Sequence, residues 1–230
     1  LTNYFKLQVT SIMKKLKNLI ISFTVFVIPT VMVAQTPPPL GVAADFVLFT
    51  SNGAVSNEGL SNVIGDAGTN VGAFSGFGNI NGSAHIANGV SAQAAADLNT
   101  AYSHINAQGP DSAIGVLLGS DQVLFPNIYL APGAATLTGT LTLDGGNDPN
   151  ACFVIKINGA FATAAGSNII LTNGTKACNV FWRVDGQMSM ATNTIFKGSV
   201  ITAGAMPLAA GVNLEGRALS ITGAISVSSL

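Results

Sequence analysis

The side chains that could perform acid–base or metal chemistry are few and far apart in this sequence. Its two histidines, His85 and His104, are separated along the chain, and no CxxC or HExxH spacing is present. A zinc site is therefore not predicted. The nucleophile elbow GxSxG, the dinucleotide loop GxGxxG and the P-loop are also absent. We expect no enzymatic activity, no cofactor and packing or surface roles for both histidines.

Acidic residues leave one catalytic alternative open. Asp45, Glu58 and Asp66 lie close in sequence without forming a motif. Asp144 and Asp148 lie in a segment rich in Asp, Asn, Gly and Pro, which could bind calcium through oxygen ligands. A plain turn is the favoured interpretation, because each of these residue types favours turns for local reasons. A polysaccharide lyase or hydrolase would require acids that converge on one face.

Charge is sparse throughout the chain. The 230 residues include 9 Lys and Arg and 10 Asp and Glu, and 48% of the residues are hydrophobic. Disorder requires lower hydrophobicity or higher net charge, so a disordered chain is excluded. Binding to nucleic acid requires a cluster of basic residues, which the body of the chain lacks.

The N-terminal segment has the pattern of a secretory signal. A basic start at Met13–Lys17 precedes an apolar run over 19–33, and Ala34 is a small residue at a plausible cleavage point. We predict a signal peptide over 13–34, an upstream extension over 1–12, a Pro-rich spacer over 35–40 and one domain over 41–230. The protein is expected to be secreted; an uncleaved signal anchor is the alternative.

Secretion affects the interpretation of the two cysteines. Cys152 and Cys178 would reach an oxidising compartment, so a disulfide between them is predicted. The alternative is two buried free thiols.

A short repeat dominates the second half of the chain. Its unit is Gly, any residue, apolar, any residue, apolar, and successive units are 20, 27, 18 and 19 residues apart. The units begin at Gly139, Gly159, Gly186, Gly204 and Gly223. The period of two indicates strands buried on one face, and further apolar stretches within the intervals indicate about three strands per coil. This is typical of a β-solenoid of triangular section.

One segment has a helical pattern instead. Val90, Ala94, Leu98, Ala101 and Ile105 recur at helical spacing. Ser91 could cap the start and Gly109-Pro110 could end the segment. We predict one α-helix over about 91–107, packed along the side of a mostly β domain whose first half contains less regular coils.

The outward positions of the five repeat units carry no charge. Stacked coils would place them at the strand spacing of about 4.7–4.9 Å, on a flat and rigid surface. They are Thr140, Thr142, Ala160, Ala162, Gln187, Ser189, Ala205, Pro207, Ala224 and Ser226. Hydroxyls and methyls at fixed intervals could hold an ordered water layer, as adsorption to ice requires. The simpler alternative is an exposed solenoid face without a ligand.

Five stretches resemble the secreted microbial ice-binding (antifreeze) family. They are LGVAADFVL (40–48), SNVIGDAGT (61–69), LTGTLTLD (137–144), ACNVFW (177–182) and FKG (196–198). The resemblance extends from about Leu40 to Val227. It implies a right-handed β-solenoid with coils stacked out of sequence order and a flanking helix. It also implies adsorption to ice through one flat face, inhibition of ice growth and recrystallisation, and no catalysis.

These observations define the candidate site. The predicted ice contacts are Thr140, Thr142, Ala160, Ala162, Ser189, Ala205, Ala224 and Ser226. A second candidate face approximates a Thr-rich pattern that some family members use: Thr192, Asn193, Thr194 and Thr222. The expected partner is the ice surface, bound by a monomer, with no nucleic acid, metal or small-molecule substrate. A non-enzymatic adhesive or structural surface module is the alternative function.

Overall fold

The computed structural model describes residues 35–78 and 80–229. The predicted signal peptide and upstream extension, residues 1–34, lie outside the described residues. Residues 35–40 contain neither helix nor strand, and Pro38 and Leu40 within them are buried. The Gln108 side chain donates a 2.9 Å hydrogen bond to the carbonyl oxygen of Thr36. This predicted spacer therefore packs against the domain.

The described chain forms one α-helix and many short strands. The helix α1 is Gly89–Ala107, and 3₁₀ turns occur at Gly41–Asp45 and Ala177–Asn179. The strands are β1 (Phe46–Asn52), β2 (Val55–Glu58), β3 (Val63–Ile64), β4 (Asp66–Val71), β5 (Phe74–Ser75), β6 (Ile80–Asn81), β7 (Ala84–Ile86), β8 (Ser112–Ala113), β9 (Leu117–Gly119), β10 (Gln122–Leu124), β11 (Ile128–Ala131), β12 (Ala135–Thr138), β13 (Thr140–Asp144), β14 (Phe153–Ile157), β15 (Phe161–Thr163), β16 (Asn168–Thr172), β17 (Val180–Val184), β18 (Met188–Ser189), β19 (Ile195–Thr202), β20 (Met206–Leu208), β21 (Asn213–Ser220) and β22 (Ile225–Ser228).

Parallel pairing arranges the strands on three faces of a β-solenoid. The helix face has the order β7-β4-β1-β21-β19-β17-β14-β11-β8. The small-residue face consists of β9, β12, β15, β18, β20, β22, β2 and β5, with a bridge between Met190 and Leu208 joining its two sheets. The third face contains β10, β13, β16, the first residues of β19 and β21, and then β3 and β6. The predicted mostly β solenoid with one helix is confirmed.

The coils are stacked out of sequence order. β1 pairs with β21 on one side and with β4 on the other, so the first strands of the chain follow the last coil in space. The helix α1 connects β7 at one end of the helix face with β8 at the other end. The discontinuous order that the family resemblance implies is therefore confirmed.

Alternating side chains build the core inside the coils. Trp182 is fully buried, stacks on Phe161 at a ring-centroid distance of 5.5 Å, and lies 5.2 Å from the ring of Phe196. Its indole N–H donates a 3.0 Å hydrogen bond to the carbonyl oxygen of Lys197. A buried aromatic residue with its polar atom satisfied fixes the positions of adjacent coils. The strands consequently form a rigid support for the outward side chains.

A column of glycines marks the corner before the small-residue face and corrects the sequence repeat. A Cβ atom on Gly223 would lie 2.2 Å from the backbone nitrogen of Ala205, and one on Gly159 would lie 2.6 Å from that of Ala134. Only glycine permits this close stacking. The column continues through Gly133, Gly159, Gly186, Gly204, Gly223, Gly53 and Gly72. Gly139 is outside the column, because it forms the turn between β12 and β13 with a φ of +69°.

The helix begins two residues earlier than predicted. Asn88 is the N-cap; its side chain accepts a 2.9 Å hydrogen bond from the Ser91 backbone N–H, while the Ser91 hydroxyl oxygen accepts one from the Asn88 backbone. This reciprocal capping box satisfies two backbone donors at the helix start. Leu98, Ala101 and Ile105 are fully buried in an apolar cluster against the helix face. No helix in the described part of the chain is long and apolar enough to cross a membrane.

Candidate functional site

Two rows of small side chains run along the outside of the small-residue face. We call the first the hydroxyl row, and strand pairing defines it. Thr136 pairs with Ala162, which in turn pairs with Ser189. Further along, Ser226 pairs with both Pro207 and Ser56. From β12 to β5 the members of the row are Thr136, Ala162, Ser189, Pro207, Ser226, Ser56 and Ser75, and the 80% exposed Leu117 of β9 lies next to Thr136 at its end. The residue two positions before each forms the alanine row: Ala134, Ala160, Gln187, Ala205, Ala224, Ala54 and Ala73.

Alternation within each strand directs these rows outward. The residues between the two rows include Phe161, Met188, Met206, Ile225 and Val55, all fully buried. Because successive side chains on a strand point to opposite sides, burying this set turns both rows outward. The face is therefore a consequence of the packing beneath it.

A continuous hydrogen-bond ladder follows the alanine row. The N–H of Phe161 donates to the carbonyl oxygen of Gln187 at 2.9 Å, and that of Met188 donates to Ala205 at 3.0 Å. The ladder continues from Met206 to Ala224 and from Ile225 to Ala54, each at 2.8 Å. Regular pairing sets the rows at strand spacing, about 4.7–4.9 Å. The outward methyls and hydroxyls therefore form a fixed lattice.

The electrostatics of the three faces differ. Neither row carries a charged side chain, and Glu58 lies at the edge of the small-residue face, at the end of β2. The third face carries Lys197 and Glu215, whose Nζ and Oε2 atoms are 2.5 Å apart. A ligand that bound the small-residue face would desolvate little charge. A ligand that bound the third face would have to desolvate this ion pair.

Charges on the helix face are engaged with the helix. Lys156 is buried, and its Nζ donates to the carbonyl oxygens of Asn106 at 3.3 Å and Gln108 at 2.7 Å, at the end of α1. Burial lowers the pKa of Lys156. Asp185 pairs with Arg183 and accepts a 2.6 Å hydrogen bond from the Tyr102 hydroxyl. Burial and this contact raise the pKa of Tyr102 to about 12.

Six of the eight predicted ice contacts share the small-residue face. They are Ala160, Ala162, Ser189, Ala205, Ala224 and Ser226. Thr140 and Thr142 lie on the third face, where Thr142 is between Val123 and Ile170. The prediction of one shared face is therefore wrong for these two threonines. The reason is that Gly139, with a φ of +69°, forms the turn after β12 instead of belonging to the glycine column.

The second candidate set does not form one surface. Thr192 and Asn193 are exposed in the turn between β18 and β19. Thr194 is fully buried, and its hydroxyl is within hydrogen-bonding distance of both Thr163 Oγ1 and the Ala191 carbonyl, at 2.8 Å each. Thr222 is exposed at a different corner, before Gly223. The inward position of Thr194 contradicts the predicted alternative face.

The sequence prediction missed the part of the face contributed by β12, β2 and β5. Thr136, Ser56 and Ser75 belong to the hydroxyl row. The missed signal was Gly133-Ala134-Ala135-Thr136-Leu137, which fits the repeat once alanine is accepted as its first apolar residue. Ala135 is 4% exposed, so this small residue does occupy a core position.

The predicted disulfide is absent. Both cysteines are free thiols; Cys152 is buried and Cys178 is exposed. Phe153 pairs with Val180, so Cys152 precedes the pair by one residue and Cys178 by two. This offset explains why the two thiols do not lie opposite each other. Burial raises the pKa of the Cys152 thiol to about 11.

The acidic segment forms the predicted turn. Asp144 accepts hydrogen bonds from the Gly146 backbone at 2.8 Å and from the Asn173 side chain at 2.8 Å, and Asp148 accepts one from the Asn150 backbone. These contacts use the carboxylates to hold local backbone. Within residues 35–78 and 80–229, no group of three or more His, Cys, Asp or Glu is placed to hold a metal ion.

The histidines also have structural contacts. His85 lies on β7, with its Nε2 atom 3.3 Å from Asp66 Oδ2 and its ring beside Phe46. His104 lies in the last turn of α1, with its Nδ1 atom 3.1 Å from the Gln108 amide nitrogen. Both positions agree with the predicted packing and surface roles.

Comparison with known proteins gives a consistent set of matches. Residues 49–229 match the family model described as Ice-binding-like. An ice-binding protein from Nostoc sp. (strain HG1) is 35% identical over 192 residues, covering 82% of this chain and 71% of that protein. Ice-binding protein 1 of Shewanella frigidimarina (strain NCIMB 400) is 36% identical over 141 residues, covering 59% of this chain but only 16% of that longer protein.

Solved structures agree with the fold. An ice-binding protein from an Antarctic bacterium of the Flavobacteriaceae has a TM-score of 0.82 and 49% identity, covering 84% of this chain and 46% of its own. An ice-binding protein from an Antarctic biological consortium also has a TM-score of 0.82, with 35% identity and coverage of 88% and 93%. The described chain thus spans about half of the first structure and nearly all of the second.

Proposed function

This chain belongs to the ice-binding-like family, and on that premise we propose that it adsorbs to ice through the small-residue face and thereby inhibits ice growth and recrystallisation. The observation that supports this face is the pair of uncharged rows along a continuous backbone ladder. The proposed activity is adsorption without catalysis.

The physical argument rests on water. Ordered water can mediate contacts nearly as well as a direct hydrogen bond, provided that the partner groups hold it in place. Ser189 and Ser226 supply hydroxyls, and Ala160, Ala205 and Ala224 supply methyls between them. Because the ladder already fixes these groups, adsorption costs little conformational entropy. No charge in either row competes to hold its own hydration shell.

The test introduces bulk on one face at a time. Ser189→Tyr would raise a ring above the centre of the small-residue face, while Thr142→Tyr would do the same on the third face. Both parent side chains are half-buried and outward, so both variants should fold. We expect Ser189→Tyr to abolish most ice recrystallisation inhibition and thermal hysteresis, with Thr142→Tyr retaining both.

The reverse result would transfer the site to the third face. Circular dichroism and thermal unfolding of each variant separate loss of the site from loss of the fold. A folded parent protein, residues 35–230, without activity in either assay would contradict ice adsorption and favour the adhesive or structural module.

We also propose that the protein is exported and acts as a monomer. The basic and apolar segments over 13–34 support export, since they match a secretory signal. Expression of residues 13–230 in a secreting host should yield a mature protein that begins at Gln35 and sediments as a monomer. An intact N-terminus on a membrane-bound product would instead indicate the signal anchor.

A further inference from the structure

The corner between the helix face and the small-residue face contains a second column of side chains, which we call the corner column. Each helix-face strand from β11 to β4 contributes one inward residue near its carboxyl end. Strand pairing places these residues side by side, and all of them are fully buried. In spatial order they are Ala131, Ile157, Val184, Thr202, Ser220, Thr50 and Thr69. Three apolar residues are thus followed by four that carry hydroxyls.

Each of these four hydroxyls reaches the glycine column of the neighbouring coil. The Thr50 hydroxyl, for example, donates a 2.8 Å hydrogen bond to the carbonyl oxygen of Gly223, which is 173 positions away in sequence. The bonds therefore join coils that are adjacent in space. They run from Thr202 to Gly186, from Ser220 to Gly204 at 2.9 Å, from Thr50 to Gly223 and from Thr69 to Gly53 at 2.8 Å.

Each bond acts on the alanine row through one peptide group. The carbonyl of Gly223 belongs to the planar peptide that joins Gly223 to Ala224, so the Thr50 hydroxyl holds the orientation of that peptide. The direction of the Ala224 methyl depends on the backbone that precedes it. The same relation holds for every bond of the set, and the row residues concerned are Gln187, Ala205, Ala224 and Ala54.

The corner is closed differently where the corner column is apolar. There the N–H of Gly186 donates directly to the carbonyl oxygen of Gly159 at 3.0 Å. Further along, the Ser220 hydroxyl is inserted into the equivalent bond: it accepts a 2.9 Å hydrogen bond from the Gly223 N–H and donates to Gly204. The hydroxyl thus replaces a direct backbone contact. Its removal would leave a buried carbonyl oxygen without this partner, at a cost in free energy.

We propose that Thr202, Ser220, Thr50 and Thr69 are positioning residues for adsorption to ice. They lie beneath the surface and act through the glycine column, fixing the alanine row from β18 to β2. A row that is already fixed loses little conformational entropy when it adsorbs. The inference rests on the proposed adsorption through the small-residue face. It adds that this half of the face depends on buried hydroxyls as well as on its outward side chains.

Substitutions at Thr50 separate the hydroxyl from the packing. Thr50→Val keeps the branched shape and loses the hydroxyl, whereas Thr50→Ser keeps the hydroxyl and loses a methyl. Loss of one net hydrogen bond favours other orientations of the Gly223 peptide by about fivefold. We therefore expect Thr50→Val to lower recrystallisation inhibition per folded molecule by up to about fivefold. Thr50→Ser should retain the activity of the parent, although the missing methyl lowers its stability.

A spectroscopic signal reports on the same bond without ice. The carbonyl ¹³C shift of Gly223 should move in Thr50→Val and stay near the parent value in Thr50→Ser. Thr69→Val repeats the test one coil away, with Gly53 as the acceptor, and decides it if Thr50→Val does not fold.

Thr175→Val is the matched control. The Thr175 hydroxyl also donates to backbone carbonyls, those of Leu143 and Thr172, but at the corner between the third face and the helix face. Its loss should leave the activity of the parent unchanged.

Three results would overturn the positioning role: full activity of Thr50→Val, equal losses in Thr50→Val and Thr50→Ser, or an equal loss in Thr175→Val. Ser189→Tyr is measured beside these variants. If Ser189→Tyr is inactive while Thr50→Val is fully active, the positioning role fails and adsorption through the small-residue face stands. If Ser189→Tyr is fully active, the proposed face fails and the positioning role fails with it.

Discussion

The helix face and the small-residue face share one backbone architecture but differ in their outward side chains. Both consist of parallel strands whose inward side chains fill one core. On the helix face the outward residues Val154, Phe181, Ile201 and Leu219 are large and buried beneath α1. On the small-residue face most of the corresponding positions hold alanine, serine or threonine; the exceptions are Pro207, Gln187 and the exposed Leu117 of β9. Large outward side chains therefore mark the face that α1 covers, and small ones mark the face that stays open.

Charge follows the same division. Lys156 and Arg183 are 5% and 4% exposed on the helix face, where Lys156 donates to backbone carbonyl oxygens and the terminal nitrogens of Arg183 contact the Asn158 amide oxygen and the Asp185 carboxylate. The two rows of the small-residue face contain no such groups. Substitutions that disturb only the helix face should therefore change stability, and those that disturb only the small-residue face should change adsorption.

The largest effect is expected where the helix meets the sheet. Leu98→Ala removes a fully buried side chain from the cluster beneath α1 and should lower the free energy of unfolding by about 2–5 kcal/mol. Val90→Ala, at a 40% exposed site on the same helix, should change it by less than about 0.5 kcal/mol. Urea unfolding provides the comparison. Ice activity per folded molecule should be unchanged in both variants; a loss in Leu98→Ala would show that the two faces are coupled.

The next effect depends on pH. Burial alone would raise the pKa of Asp185, but hydrogen bonds from Arg183 and Tyr102 lower it overall. A depressed carboxyl pKa stabilises the fold above the pKa of the unfolded chain, and this stabilisation is lost as pH falls through the folded-state value. Because the Asp185 side chain is 39% exposed and its pairing is screened by solvent, Asp185→Asn should cost about 0.5–1 kcal/mol at pH 7 and less at about pH 3.

Urea unfolding at both pH values measures that difference. Asp111→Asn, at an exposed carboxylate, is the matched control and should change little at either pH. An Asp185→Asn penalty that persists undiminished in acid would show that geometry, not charge, holds the contact.

The limits of the sequence prediction follow from the same division between faces. Period-two alternation identified Phe161, Met188, Met206 and Ile225 as inward residues, because burial imposes that period directly. Alternation does not reveal which of the three faces a strand joins. The sequence therefore groups the unit that begins at Gly139 with the small-residue face, although its strand lies on the third face. The face is set by turn geometry and by contact with coils distant in sequence, as in the pairing of Ser226 with Ser56. A five-residue pattern contains neither.

The two cysteines differ in burial, and we expect substitutions at them to have smaller effects on stability than Leu98→Ala. Cys152 is buried on the helix side and Cys178 is exposed. Cys152→Ser would bury a hydroxyl in an apolar cluster and should cost about 1–3 kcal/mol, whereas Cys178→Ser should stay within about 0.5 kcal/mol. Maleimide should label Cys178 in the native protein and Cys152 only after unfolding. If neither cysteine reacted until a reductant was added, the result would support the predicted disulfide and contradict two free thiols.

The smallest change in stability, and the sharpest test of flatness, is expected at Gln187. It is the one long side chain in the alanine row, and its amide donates a 3.0 Å hydrogen bond to the Ser189 hydroxyl. The ladder at this position uses the Gln187 carbonyl oxygen, which any residue supplies. Gln187→Ala should therefore alter stability by less than about 0.5 kcal/mol.

Adsorption should respond differently from stability. Without the amide, methyls would run unbroken from Ala160 to Ala205 and the Ser189 hydroxyl would be free to hold water. We expect recrystallisation inhibition to rise by about twofold, equivalent to a few tenths of a kcal/mol. Val123→Ala on the third face, 47% exposed, should leave it unchanged. A fall in activity for Gln187→Ala would mean that the amide itself contacts ice; adsorption would then depend on particular polar groups more than on the smallness of the rows.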